Sequence, residues 1–327
     1  MRQDAVNFLK NLKASDNAKI FSHVDADGIC SLVILIRFLR RRGIIEKDKI
    51  PIYQLTDVPP NFIETSKVMI FLDLNSDTVY NYVNEKSLLI DHHIFGKKPK
   101  GVFYNPRETE PASYIPAAYL VYDICSELEE MEDARWIAAV GVLGDKGELN
   151  SKICRDFIDV FDNVPELQKV SDFIYSAFLV EGNIGNDRMV KALANASSPK
   201  DIIEDSYFRY CFDEVQREVA KSRKKIEKDG IFRFVNLKSK YNIKSIVAAQ
   251  MLEKEKGVIV VACTEADSFC KMSIRTDTNI NLGSITKKAA DLAGGTGGGH
   301  EKAAGARVPK SRFGIFREAL ISGVEKI

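Results

Sequence analysis

The sequence predicts an α/β chain of two domains: a parallel sheet with flanking helices, a linker helix, and a second, smaller mixed α/β domain, with a cleft between the two. Three observations carry this reading. In the first half, short β-branched runs alternate with helical stretches. From about Asp201 to Lys228 the chain becomes charged and helix-prone, ending at Gly230. Beyond Gly230, strand-like runs return around a segment dense in glycine.

In the first half, Lys19–Ser22, Ile50–Thr56, Lys67–Leu74 and Lys86–Asp91 read as strands. Strands this apolar suit a parallel sheet covered by helices on both faces. Ile29–Arg42 and Ser113–Glu130 read as helices, and Glu132–Asp145 as another that runs into a polar Gly-Asp turn. Such sheets place their chemistry at the carboxyl ends of the strands. In the second half, Ile231–Leu237, Gly257–Cys263 and Phe269–Arg275 read as strands, with helices near Ser245–Glu255 and Ile285–Ala293. Ala293–Gly305 holds six glycines and is expected to be a loop at its centre. No internal repeat is evident.

Composition narrows the class. The chain has 327 residues, 45% hydrophobic and 28% charged, as in a soluble globular protein with room for two cores. No apolar run reaches the roughly 18 residues that span a bilayer. The longest, Ile29–Leu39, is broken by Arg37, and the N-terminus lacks signal-peptide character. A cytoplasmic location without membrane association is expected. The six cysteines contain no C-x-x-C pair, which argues against a zinc ribbon or a disulfide framework. They are expected to be buried thiols. A net charge of +1 means that any polyanion must be held by local clusters.

Four stretches share one logic. His23-Val24-Asp25-Ala26-Asp27-Gly28 lies between a strand and a long apolar helix. Asp73 ends KVMIFLD, Asp91-His92-His93 ends SLLIDHH, and Asp145 ends VGVLGD. Each follows an apolar segment, so all could converge on one cleft. Three of the four histidines of the chain fall within these stretches, and the fourth, His300, closes the glycine-rich segment. Carboxylates and imidazoles together suit Mn²⁺ or Mg²⁺, with imidazole tilting the choice toward manganese. Two such ions sharing a carboxylate could bind a phosphoryl oxygen and activate water near neutral pH. Taken singly, each motif has another explanation. Asp27 could cap the following helix, and Asp73 and Asp145 could be turn residues. The conjunction, in this order, is what points to a metal site.

That conjunction resembles the DHH phosphoesterase superfamily, through HVDADG, FLD, DHH and GD over roughly residues 15–185. The resemblance implies one metal held by His23, Asp25 and Asp73, and another by Asp27, Asp73, His92 and Asp145, with Asp73 as the bridge. It implies that Asp91 orients His92 from behind the metal and that His93 faces the scissile phosphate. Two divalent cations are expected, Mn²⁺ preferred and Mg²⁺ accepted.

The glycine-rich segment, Gly294–His300, resembles the signature of the DHH-associated domain of RecJ-type exonucleases and nanoRNases. Glycines let backbone N–H groups approach phosphate closely, although a flexible linker would also explain the run. Ser273-Ile274-Arg275-Thr276 is similar to the same domain's Ser-x-Arg-Ser motif, and Arg275 could clamp phosphate bidentately. Ser273, Arg275, Gly297, Gly298, Gly299 and His300 are therefore expected to bind substrate, with Arg107 as a further phosphate contact. The expected domains are a metal-binding catalytic domain over 1–188, a helical linker over 189–229 and a substrate-binding domain over 230–327. Arg37, Arg40, Arg41 and Arg42 could complement the dipole of their own helix, and Arg217–Lys228 could solvate the linker helix or line a groove.

The HVDADG spacing is closer to archaeal RecJ-like proteins than to nanoRNases or pyrophosphatases. The length leaves no room for the extra oligonucleotide-binding domain of bacterial RecJ. The resemblance thus implies an exonuclease that removes nucleotides from an end of single-stranded DNA or RNA. The alternatives are a nanoRNase-like enzyme acting on short oligonucleotides or 3′-phosphoadenosine nucleotides, and a non-catalytic replication or repair scaffold. A replication or repair protein is an expected additional partner.

Overall fold

A five-stranded, all-parallel sheet organises the first half of the chain in a computed structural model that describes residues 1–51, 53–56, 68–222, 226–266 and 268–325. The chain divides into two compact units, Met1–Phe212 and Asp213–Ile327. In the first unit the strands are β1 (Lys19–Ser22), β2 (Tyr53–Leu55), β3 (Met69–Leu72), β4 (Ser87–Ile90) and β5 (Val102–Tyr104), in the order β2-β1-β3-β4-β5. Its helices are α1 (Arg2–Asn11), α2 (Ala26–Arg41), α3 (Ser76–Val79), α4 (Ala117–Ser126), α5 (Arg135–Gly144), α6 (Gly147–Asn150), α7 (Lys152–Ile158), α8 (Val164–Glu181), α9 (Asn183–Asn195), α10 (Pro199–Ile203) and the start of α11 (Ser206–Ser222).

The alternation along each strand explains the doubly apolar pattern. Ile20, Ile70, Leu72, Leu88 and Ile90 face a large core built with α2, α4, α5, α8 and α9. Phe21, Met69, Phe71, Leu89 and Phe103 face a smaller core with Val79 and Val83, where the Phe21 and Phe71 rings stack at 5.1 Å. The four expected strands are present, though Lys67 and Ile52 lie outside the described residues. The expected helix over Ser113–Glu130 begins only at Ala117, with Pro116 as its N-cap, and ends at Ser126. All six cysteines are buried and unpaired.

The second unit is a six-stranded mixed sheet of β6 (Ile226–Asp229), β7 (Phe232–Leu237), β8 (Ile259–Glu265), β9 (Phe269–Thr276), β10 (Thr296–Gly299) and β11 (Ala303–Pro309), ordered β10-β11-β9-β8-β7-β6. Among the described strands of this sheet, only β7 and β8 run parallel. The helices α12 (Lys244–Lys254), α13 (Leu282–Leu292) and α14 (Phe313–Glu325) accompany it. Two expectations need correction. Among the described residues the charged segment is helical through Ser222. Ile226–Asp229 instead forms an exposed edge strand that turns back through Gly230, whose φ is +54°. The glycine-rich segment is likewise strand, not loop, with β10 pairing antiparallel to β11. Glycine is weak in strands as a rule, but packing requires it here. A side chain on Gly297 would meet Ala290 Cβ at 2.8 Å, and one on Gly283 would overlap the Gly299 carbonyl, so α13 lies directly on the strand backbone.

Two arginines of the cluster closing α2 serve a neighbouring helix. Buried Arg37 donates from Nη2 to Leu193 O at 2.7 Å and to Ala196 O, and Arg40 donates to Ala194 O at 2.9 Å. These are the unpaired carbonyls at the C-terminus of α9, which need external donors. Arg37 also donates from Nη1 to Asp133 O at 3.0 Å. Arg37→Met should therefore lower the stability of the first unit by about 2–4 kcal/mol, since it strands buried acceptors. A urea titration followed by Trp136 fluorescence would show this as a lower midpoint, and an unchanged midpoint would mean that these carbonyls are satisfied another way.

Candidate metal centre

Three parallel strands deliver the polar groups. His23 follows β1, Asp73 follows β3, and Asp91, His92 and His93 follow β4, while Asp25 and Asp27 open α2 and Asp145 closes α5. Asp73 is held at φ +56°, in the left-handed region. For a residue with a side chain this costs roughly 1–3 kcal/mol and persists only where the surroundings enforce it. The turn places each Asp73 oxygen toward a different histidine. Oδ2 lies 3.5 Å from His23 Nδ1, and Oδ1 lies 3.3 Å from His92 Nε2.

Around these two contacts the remaining groups fall into two sets. His23 Nδ1 lies 2.8 Å from Asp25 Oδ2. His92 Nε2 lies 3.2 Å from Asp145 Oδ2 and 3.8 Å from Asp27 Oδ2. His23, Asp25 and Asp73 can present ligand atoms to one ion, and so can Asp27, His92 and Asp145; Asp73, His92 and His93 form a third such group. All six residues expected as ligands are thus brought together.

The structure corrects the alternative reading of the HVDADG motif. Asp25, not Asp27, is the N-cap of α2, accepting from Gly28 N at 3.0 Å. Asp27 instead accepts from Ala117 N at 2.7 Å and Ala118 N at 2.8 Å, the first free N–H groups of α4. A helix N-terminus favours a carboxylate there. Gly28 is required because a side chain would lie 2.5 Å from the His23 carbonyl oxygen.

A second correction concerns Asp91. The resemblance implies a place behind His92, but Asp91 Oδ1 lies 2.7 Å from Nδ1 of His93 and also accepts from His93 N. The two residues flank His92 in sequence, yet the turn after β4 folds His93 back over Asp91. An ionised carboxylate only accepts, so Nδ1 of His93 carries the proton and Nε2 is the nitrogen left for another partner. The His93 side chain is 41% exposed and that of His92 only 3%. Arg107 likewise serves the loop: Nε donates to His92 O at 2.7 Å and Nη1 to Pro111 O at 2.7 Å. Asn105 donates to His93 O at 2.9 Å.

The electrostatics are those of a site built for positive charge. Burial, with Asp73 and Asp145 nearby, pushes the Asp27 carboxyl well up, and burial with Asp25 nearby raises that of Asp73. Burial disfavours protonation of His23, but Asp25 and Asp73 outweigh it and lift the imidazole to about 11. The Asp25 carboxyl, opposed by burial but paired with His23, falls to about 2. Both oxygens of Asp73 and both ring nitrogens of His92 are buried without a hydrogen bond. Such groups cost free energy unless something else meets them. An oxygen-rich set with imidazole fits Mn²⁺ or Mg²⁺.

Tyr114 has no sequence signature, since a lone tyrosine between motifs carries no spacing. Its hydroxyl lies 3.1 Å from Asp145 O and 3.3 Å from Asp145 Oδ2, and its ring meets His92 edge-on at 5.2 Å. Burial and Asp145 raise its pKa, so the phenol stays protonated.

Apart from Arg107, the expected substrate residues lie in the second unit. Ser273 and Arg275 share one face of β9, where Gly305 sits opposite Ser273, and Gly298 opposite Gly305. Arg275 donates from Nη2 to Ser245 Oγ at 2.9 Å. Gly298 is open, with nothing within 4 Å of a would-be side chain, whereas Gly297 and Gly299 are confined by packing. His300 follows β10 and donates its backbone N–H to Ala303 O at 2.7 Å. Among the described residues, no helix is long and apolar enough to cross a membrane.

The model of the DHH family, N-terminal domain, matches residues 17–144, and that of the DHHA1 domain matches residues 228–326. No curated protein matches. RecJ from Thermus thermophilus in complex with Mn²⁺ superposes with a TM-score of 0.69 at 17% identity, covering 100% of this chain and 55% of that one. This chain therefore spans about half the length of that protein. An exonuclease RecJ bound to manganese gives 0.67 at 17% identity, covering 100% and 94%. A pGpG-specific phosphodiesterase, PggH, from Vibrio cholerae gives 0.57 at 15% identity, covering 94% and 99%.

Mn²⁺ should raise the thermal midpoint of the wild-type chain, because an ion that binds only the folded state stabilises it. Asp73→Asn should abolish that rise, and a full Mn²⁺ response in this variant would dismantle the shared-ligand arrangement. By elemental analysis, His92→Ala should lose more bound metal than His93→Ala.

Proposed function

This chain belongs to the DHH superfamily and carries a C-terminal DHHA1 domain, and from that premise we propose that it is a metal-dependent phosphodiesterase, an exonuclease hydrolysing single-stranded DNA or RNA from an end. The observation that carries the reading is Asp73, whose two buried oxygens each approach a different histidine within one carboxylate cluster.

Two divalent cations, Mn²⁺ in preference to Mg²⁺, would be held by His23, Asp25 and Asp73 and by Asp27, Asp73, His92 and Asp145, and would supply Lewis-acid charge to phosphoryl oxygens and acidify water. The protein's own groups complete the chemistry. Asp91 fixes the His93 tautomer, so that Nε2 can hold a phosphate oxygen or move a proton there. Arg107 holds the turn that carries His92, and Tyr114 holds Asp145 at the end of α5. In the second domain, Arg275, Ser273, open Gly298 and His300 grip neighbouring phosphates. A cytoplasmic setting and a nucleic-acid partner follow from this reading.

A second reading, hydrolysis of dinucleotides or other short oligonucleotides, is favoured by the likeness to the pGpG-specific phosphodiesterase, nearly all of which this chain covers. The two share chemistry and differ in substrate length. A purely scaffolding role is disfavoured, because every group that the site needs is present.

With Mn²⁺, the protein should shorten end-labelled single strands progressively, and chelation should stop it. Graded lengths from two to twenty nucleotides decide between the two readings, and no cleavage at any length would end both. Arg275→Ala should leave bound metal unchanged but lower kcat/KM on oligonucleotides about ten- to a hundredfold, the worth of a charge-assisted contact of ~1.5–3 kcal/mol. On bis-p-nitrophenyl phosphate, which has no neighbouring phosphate, the loss should be small. Asp91→Asn should slow both substrates while metal content holds, because it releases His93 and not a metal ligand.

A further inference from the structure

One face of the second domain's sheet carries cations that neither the metal centre nor the Ser273–Arg275 motif employs. Phe269, Lys271, Ser273 and Arg275 alternate onto the same side of β9, spanning about 20 Å at ~3.4 Å per residue. The opposite side of the strand, Cys270, Met272 and Ile274, is buried in the domain core. On the neighbouring strand, Arg307 stands directly opposite Lys271, and Gly305 opposite Ser273. Like charges placed opposite each other across strands destabilise a sheet. Lys271 and Arg307 are both exposed, and neither has an acidic ion-pair partner among the described residues.

Two further groups extend this patch. Lys244, at the start of α12, is half-buried, and burial together with nearby Lys271 lowers its pKa. It donates to Asn242 Oδ1, a neutral partner. The Arg307 guanidinium lies 4.1 Å from the centre of the Phe269 ring, a cation stacked on a half-buried aromatic. Glu265, the acidic residue at the end of β8, is already engaged by Lys310 and Asn236. Between the cations the surface is bare backbone at Gly298 and Gly305.

We propose that Lys271, Arg307 and Lys244, with Phe269, form a track that binds the successive phosphates and one base of a single-stranded nucleic acid beyond the nucleotide gripped at Ser273 and Arg275. The proposal rests on the phosphodiesterase reading and adds the length of substrate for which the domain is built. Phosphates would supply the negative charge opposite Lys271 and Arg307 for which the described residues offer no acidic ion-pair partner. The Phe269–Arg307 pair offers a stacking surface indifferent to base identity. The consequence is affinity that grows with strand length, which distinguishes a processing exonuclease from a dinucleotide hydrolase.

The test is fluorescence anisotropy of labelled oligothymidylates of two and ten nucleotides in EDTA, across a salt series, with the whole chain. Wild type should bind the ten-mer much more tightly than the two-mer. The double variant Lys271→Gln, Arg307→Gln should lose roughly tenfold or more on the ten-mer. Its log Kd against log salt should flatten by about 1.4, at ~0.7 per phosphate contact on a single strand. Hydrolysis of the two-mer with Mn²⁺ should be unchanged, and the thermal midpoint should be no lower, because a like-charge pair is removed. The charge-preserving pair Lys271→Arg, Arg307→Lys should keep ten-mer binding. Phe269→Leu should weaken the ten-mer but not an abasic strand of equal charge.

A double variant that binds the ten-mer as wild type does, or a wild type that gains nothing from length, overturns the track. Equal competition by inorganic polyphosphate overturns its assignment to nucleic acid. Length-dependent binding without hydrolysis of any strand would leave the track standing and remove the phosphodiesterase reading instead.

Discussion

Mutual repulsion among carboxylates taken out of water governs the first domain. Asp27 and Asp73 are essentially buried, Asp25 and Asp145 lie beside them, and the only cationic groups among the contacts that link them are imidazoles. The same carboxylates draw His23 and His92 toward the charged form, against the cost of burial. The rest of the domain makes the cluster bearable by supplying dipoles. The start of α4 meets Asp27, the start of α2 meets Asp25, and the backbone at Asp73 takes up an unfavourable conformation to divide its oxygens between two neighbours. A parallel sheet suits such a design because it brings several strand ends and helix starts to one edge.

The second domain meets a different demand, the close approach of helix and strand. Gly283, Gly297 and Gly299 let α13 rest on the backbone of β10, and the face turned the other way is left smooth at Gly298 and Gly305. One glycine-rich run therefore does two things: on one side it closes a core, and on the other it leaves bare backbone with no side chain above it. These uses alternate with the pleat, residue by residue.

The cluster of acidic and histidine side chains was legible in the sequence because each motif is short, follows an apolar run and sits at an element's end, so order along the chain stood in for position in space. The strands of the first sheet were legible for the same reason, being short and apolar on both faces. What escaped was set by contacts between distant segments. The partner of Asp91 depends on how the turn after β4 folds, and Asp91 lies close to both histidines in sequence. Tyr114 and the amides of Ala117 and Ala118 reach the site from segments far along the chain from the motifs they serve. The glycines of β10 resembled a loop because single-residue preference cannot register a helix pressed against a strand. The arginines at the end of α2 seemed to serve their own helix, whereas two of them, Arg37 and Arg40, satisfy carbonyls at the end of α9.

The bond between Asp27 and the first turn of α4 bears on how an ancestral enzyme could lose its chemistry. This aspartate holds the helix start as well as facing His92, so replacing it would leave two buried N–H groups stranded and weaken the fold whether or not any reaction took place. Descendants that abandoned catalysis for another duty would be under pressure to keep it, while His92 and Asp73, whose side chains satisfy no backbone, would be free to drift. An intact Asp27 in some divergent descendant is then a record of architecture, and the fate of the other two is the better witness to whether the chemistry survived.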